Sequence, residues 1–110
     1  MKGMDIARNM RLIESLKGEL LAAVSHLYVQ MASENCEDIR EVALDTLSDA
    51  VIISYLLSRR LGLDYTALER QIGSKIKIGL IQEHETEKYF GDLSALSRLR
   101  GYGTGAGNAS

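Results

Sequence analysis

Residues 41–57 read EVALDTLSDAVIISYLL, and the character of the chain changes halfway through them. Glu41, Asp45 and Asp49 recur every four residues, which places them on one side of a helix. From Ala50 onward Val51, Ile52, Ile53, Tyr55, Leu56 and Leu57 cover most of the circumference. Ile52 and Leu56 continue the acidic side one or two turns further on. One helix is therefore solvated in its first half and buried in its second. A helix that is apolar all round needs neighbours on several sides, which sets the fold class as a helical bundle.

The flanking sequence supplies those neighbours. Ile6, Ile13, Leu20 and Leu27 repeat every seven residues, and Met10, Val24 and Met31 follow four residues behind, with Lys17 interrupting. This predicts a first helix opening at Asp5 and running to about Ala32. Ser33 and Asn35 are polar residues suited to cap the second helix, predicted from about Cys36 to Leu61. Gly62 suits the left-handed position beyond its end. Asp64 can cap a third helix whose stripe is Tyr65, Leu68, Ile72, Ile76 and Leu80. Residues 83–92, EHETEKYFGD, are polar and predict the end of the third helix or a turn. Asp92 then caps a short fourth helix with Leu93, Leu96 and Leu99 on one face and Gly101 after its end. The expected architecture is all-α, an antiparallel three- to four-helix bundle forming a single domain over residues 1–100. The Gly-rich tail 101–110 reads as flexible.

Composition agrees. Proline is absent and only five tyrosines and one phenylalanine are aromatic, which favours helices over a sandwich or barrel. The net charge of −2 gives no basic field for nucleic acid or an anionic membrane surface. Unbroken apolar runs such as Ala50 to Ile53 are far too short to span a bilayer. Cys36 is the single cysteine and forms no internal disulfide, which fits a reducing compartment. The expected localisation is cytoplasmic. A helix as apolar as the second one also predicts a homodimer, or a higher oligomer, packed through it.

The acids allow two readings. A solvated half-helix whose first acids favour the helix dipole accounts for most of them. Asp49 directly precedes the buried segment, however, and a carboxylate at a core edge needs a cation or hydrogen bonds. Glu19 and His26 lie along the flank of the first helix, where Glu19 is able to face Asp49 across an antiparallel pair. Facing helices that point carboxylates inward hold divalent metal in several bundles. Mg2+ needs only one or two such carboxylates, with water and phosphate oxygens completing its octahedron.

KGELLAAV at 17–24 and DTLSDAVIISYLLSRRLGLD at 45–64 resemble the MazG-like all-α nucleoside triphosphate pyrophosphohydrolases. That family carries Glu-x-x-Glu on one helix and Glu-x-x-Asp leading into an apolar helix. The second helix ends in a phrase like Leu61-Gly62-Leu63-Asp64. The resemblance covers about residues 10–80, and EHETEKYFGDLSAL is similar to a short MazG-like branch. It implies Mg2+-dependent hydrolysis between the α- and β-phosphates of a nucleotide. The second acid of the first motif falls on Glu19 and its first on Leu16. The last acid of the second motif falls on Asp49 and its partner on Thr46, with Asp45 one residue away. The metal set so implied is Glu19, Asp49 and Asp45. Lys75 is the nearest counterpart of a phosphate-binding cation, and no catalytic base is identified. The alternative is a non-catalytic descendant of the fold serving as an oligomeric interaction or regulatory module.

The remaining polar residues have simpler accounts. His26 reads as a half-exposed helical histidine, and His84 between Glu83 and Glu85 as surface. Arg59 and Arg60 complement the dipole of the second helix. GTGAG in the tail lacks the Lys-Ser/Thr and preceding strand of a phosphate loop.

Overall fold

The computed structural model describes residues 2–33 and 38–101, with side chains from Asp5 onward. The expected caps and start at Asn35 and Cys36, and the tail after Gly101, lie outside the described residues. The chain is all-α, with five helices and no strand among the described residues: α1 Lys2–Ala32, α2 Ile39–Arg60, α3 Tyr65–Ile81, α4 Glu85–Phe90 and α5 Asp92–Arg100. It divides into two compact units, Met1–Tyr65 and Thr66–Ser110.

The first unit is a hairpin of α1 and α2. Its packed face on α1 consists of Asn9, Ile13, Leu16, Leu20, Ala23, Leu27 and Gln30, all buried or half-buried. These positions alternate by four and three residues, the spacing of a helix–helix seam. The sequence reading therefore placed Ile13, Leu20 and Leu27 correctly and set the second row one residue off. Ile6 is exposed, as are Met10, Val24 and Met31 of the second row, and Asn9, Leu16, Ala23 and Gln30, one residue earlier than Met10, Lys17, Val24 and Met31, form the packed row instead. The error has a physical origin. Ala23 and Gln30 are not large hydrophobes, so a search for apolar residues passes them by.

The matching face of α2 is Ile39, Ala43, Thr46, Ala50, Ile53, Leu57 and Arg60. Asn9 fixes the antiparallel register. Its Nδ2 donates to the Arg60 carbonyl at 2.9 Å, and Arg60 Nη1 donates to its Oδ1 at 3.2 Å. Seam positions taken in order from this bond place Leu16 level with Ile53, and Ala23 level with Thr46.

Helix ends explain the boundaries. Asp5 sits inside the first turn of α1, where its charge favours the dipole, and is not the cap. Asp38 caps α2, its Oδ1 accepting from the backbone N–H of Arg40 at 3.1 Å and Glu41 at 3.4 Å. At the other end Gly62 has φ 91°, and Leu63 N–H donates to Ser58 O at 3.0 Å, as the Gly62 reading requires. Tyr65 packs back on α2, its ring 6.1 Å from that of Tyr55 and 5.7 Å from the Arg59 guanidinium.

In the second unit Ile76 is buried, and Leu68, Ile72 and Leu80 are half-buried along the expected stripe of α3. A Cβ on Gly79 would lie 2.7 Å from Leu93 Cδ1, so glycine permits the close approach of α3 and α5. Arg100 pairs with Glu69 between the same helices. α3 ends at Ile81; in the turn after it Glu83 takes a left-handed φ of 52° without being glycine, and His84 N–H closes the turn on Gly79 O.

The segment expected to be a turn contains α4. His84 caps it through Nδ1, which accepts from Thr86 N–H at 3.2 Å, and left-handed Gly91 ends it. Asp92 is the first residue of α5 and not its side-chain cap. The capping carboxylate comes from Glu87, which accepts from the Ser94 N–H at 2.8 Å and the Ser94 hydroxyl at 2.5 Å. These bonds to Ser94 hold the Glu87 carboxyl below its ordinary value of 4.5. A carboxyl depressed on folding stabilises the corner at neutral pH, and the contribution is lost as pH falls through the folded value. Glu87→Ala is expected to speed exchange of the Ser94 amide at neutral pH. Lowering the pH through the carboxylate range is expected to remove the difference between wild type and variant.

Candidate functional site

One cleft of about 450 Å3 runs along a flank of the α1–α2 seam. Seam residues Ala23, Thr46 and Ile53 make its floor. Glu19, Ala22 and His26 form the α1 wall, and Asp45, Asp49, Ile52 and Leu56 form the α2 wall. The regular helices dictate this arrangement. Every wall residue except Ala22 carries a bulky or charged side chain one position before a seam residue, so in an antiparallel pair all project to the same side. Ala22 leaves the gap that opens the cleft at its middle.

The structure thus brings Glu19, Asp45 and Asp49 to one cleft, and adds His26 and Thr46. It does not gather the acids at one point. Projecting the seam register at 1.5 Å per residue puts Glu19 and Asp49 roughly 2 Å apart along the hairpin axis. Asp45 and His26 are offset by a similar amount, while Glu19 and Asp45 are about 8 Å apart in level. By level along the hairpin axis the lining falls into two sets, Glu19 with Asp49 and His26 with Asp45, about one and a half helical turns from each other. In agreement, no three His, Cys, Asp or Glu side chains among the described residues are grouped to hold one metal ion.

All three carboxylates are exposed. Glu19 Oε2 accepts from Ser15 Oγ at 3.3 Å, and no ion pair engages Glu19, Asp45 or Asp49 among the described residues. The lining contains no lysine or arginine. An acidic cleft of this kind disfavours a free polyanion and favours a cation, or an anion that arrives with one. Oxygen donors suit a hard divalent ion. Two carboxylates at one level fit Mg2+, which leaves its other positions to water and phosphate.

Leu16 and Thr46, at the positions where the resemblance expects acids, belong to the seam. Leu16 is 8% exposed and Thr46 4% exposed. The Thr46 hydroxyl donates to Val42 O at 2.8 Å, so it is satisfied within its own helix. His26 is exposed on the cleft wall, at a level near that of Asp45 on the other helix. Lys75 is exposed on α3 in the second unit and does not line the cleft. In that unit Arg70, Gly73, Ser74 and Lys77 line a separate hollow of about 340 Å3. His84 serves as a helix cap.

An antiparallel helical hairpin with a carboxylate-walled cleft along its seam defines an all-α protein with an acidic cleft. The family model described as the MazG-like family matches residues 6–93, and the chain belongs to that family. No curated protein and no solved structure matches the chain significantly. No helix among the described residues is long and apolar enough to cross a membrane.

Proposed function

We propose that the α1–α2 cleft binds a nucleotide with Mg2+ and that the protein hydrolyses the bond between its α- and β-phosphates, releasing pyrophosphate. The observation that carries this reading is the placement of Glu19, Asp45 and Asp49 on the walls of a single cleft in a chain of the MazG-like family. Proteins of this family are generally metal-dependent. The bound ion supplies charge neutralisation at the phosphates and a more acidic water. Glu19 and Asp49, facing each other at one level, are the residues to hold it. Asp45 lies one turn along α2 and opposite His26, where its carboxylate is placed to accept a proton from water. Ile52, Ile53 and Leu56 make the other end of the cleft apolar, a surface for the nucleobase.

A second reading is favoured by the burial of Leu16 and Thr46: the cleft binds the nucleotide without cleaving it, and the chain acts as an interaction or regulatory module. Two measurements separate the readings. Pyrophosphate release from a panel of nucleoside triphosphates with Mg2+ supports the first. Binding by calorimetry that requires Mg2+, with no pyrophosphate formed, supports the second. Absence of both rejects the cleft as a nucleotide site.

A further inference from the structure

The acidic cleft does not end at Leu56. The same residue lines a second hollow of about 220 Å3, whose other walls are Leu12, Leu16, Arg59, Arg60 and Tyr65. Leu12 and Arg59 each precede a seam residue by one position, as the cleft walls do, so both recesses open on one flank of the hairpin. Together they form one groove with two chemically different ends. Along α2, Leu56 stands roughly 10 Å beyond Asp49 and Arg59 roughly 15 Å beyond it, at 1.5 Å per residue. A ribose and its base reach into this interval when the phosphates lie at the Glu19–Asp49 level. Leu12, Leu56 and Tyr65 are 42% to 45% exposed and offer apolar surface there.

The two cations of the hollow differ. Arg60 is committed to the hairpin register, its Nη1 donating to Asn9 Oδ1 at 3.2 Å. Arg59 is exposed, makes no ion pair among the described residues, and holds its guanidinium 5.7 Å from the centre of the Tyr65 ring. That contact keeps the charged head at the wall of the hollow. We propose that the hollow is the base subsite of the cleft and that Arg59 reads the base, selecting an oxopurine such as guanine. The inference rests on the nucleotide reading of the cleft and adds the residue that sets its specificity. A guanidinium carries five N–H donors in a fixed fork and no acceptor. The fork meets O6 and N7 of guanine, two adjacent acceptors, with two parallel bonds. Adenine sets its N6 amino donor beside N7, and cytosine presents an N4 amino donor, so each turns a donor toward a donor. Uracil offers O4 and a single bond. Tyr65 and Leu56 contact the face of any base and add affinity without choosing among them. No carboxylate lines the hollow among the described residues, so no acidic wall competes with the base for the fork. The groove is therefore ordered as a nucleotide is, with carboxylates at the phosphates, apolar side chains at the ribose and base, and a donor fork at the base edge.

The test is calorimetry of the full chain with Mg2+ and the α,β-methylene analogues of the guanine, adenine, cytosine and uracil nucleoside triphosphates, which resist cleavage between the α- and β-phosphates. Wild type is expected to bind the guanine analogue roughly 10-fold or more tightly than the adenine and cytosine analogues, with uracil between them. Arg59→Lys keeps the charge beside Tyr65 and loses the fork. It is expected to weaken the guanine analogue alone and bring the guanine-to-adenine ratio to about one. Arg59→Met removes the charge as well and is expected to give the same ratio. A merely structural role for Arg59 would instead weaken all four analogues together and leave the ratio standing. The substituted side chain is exposed, so retained helical circular dichroism accompanies both changes. The wild-type order of affinities decides the matter even if a variant unfolds. Equal affinity for all four analogues overturns the assignment of Arg59 and leaves the cleft a nucleotide site, as does a guanine preference that survives both substitutions. Failure of every analogue to bind rejects the cleft reading itself, and this inference with it.

Discussion

Asp49→Asn is expected to lower Mg2+-dependent pyrophosphate release by roughly 100-fold or more while leaving the fold intact. Asparagine keeps the size of the side chain and removes its charge, so the change reports on charge at the cleft wall. Asp49 is exposed and makes no ion pair among the described residues, which means no packing and no salt bridge is lost with it. Glu19→Gln is expected to act in the same direction, because Glu19 faces Asp49 at nearly the same level. The two substitutions together are expected to cost little more than either alone, as for groups that act as a unit. Asp45→Asn stands one turn away and is expected to lower the maximal rate while changing the Mg2+ requirement less. The measurement is pyrophosphate release against Mg2+ concentration for each variant. Full activity in Asp49→Asn, or an unchanged Mg2+ curve in Glu19→Gln, removes this pair from the site.

Much of this was legible from local chemistry. A chain with no proline, with Gly62 after the apolar half of α2 and Gly101 after α5, and with acids near helix starts determines helices by itself. The Gly62 turn and the α5 boundary at Gly101 followed directly from those rules. What could not be read was whatever depends on which residue meets which. The packed row of α1 contains Asn9, Ala23 and Gln30, whose burial comes from the opposite helix and not from their own hydrophobicity. α4 was hidden because its cap is a histidine and the preceding turn is made by Glu83, a residue that takes a left-handed conformation at a cost of about 1 kcal/mol or more. The site divides in the same way. Helical period alone showed that Asp45 and Asp49 share a side. Only the antiparallel register shows that Glu19 lies level with Asp49 and that Asp45 is opposite His26. The three acids line one cleft, Glu19 and Asp49 at one level and Asp45 at another beside His26.

Leu16→Glu and Thr46→Glu test why the chain departs from the four-acid pattern of its relatives. Both positions are in the seam, opposite Ile53 and Ala23 respectively. Leu16→Ala alone is expected to cost about 2–4 kcal/mol, since the lost methyl groups leave a cavity between well-packed helices. Glutamate at the same place adds an uncompensated charge, so a cost of about 3–5 kcal/mol is expected in urea titrations with chelator present. Thr46→Val is expected to stay within about 1 kcal/mol of wild type, because the hydroxyl only returns to the Val42 carbonyl of its own helix. Combining Leu16→Glu with Thr46→Glu places acids at 16, 19, 46 and 49, with one new charge on the floor of the cleft and one in the seam outside its lining. Such a variant is expected to depend on divalent metal for folding. At Mg2+ about 100-fold above its dissociation constant, binding to the folded state alone returns about 2.7 kcal/mol, whereas wild type with its two-acid pair gains less. Equal stability of the double variant and wild type in chelator would mean that positions 16 and 46 tolerate charge and do not belong to the seam. The opposite result, which is expected, means that positions 16 and 46 serve helix packing, where Leu16 is 8% and Thr46 4% exposed.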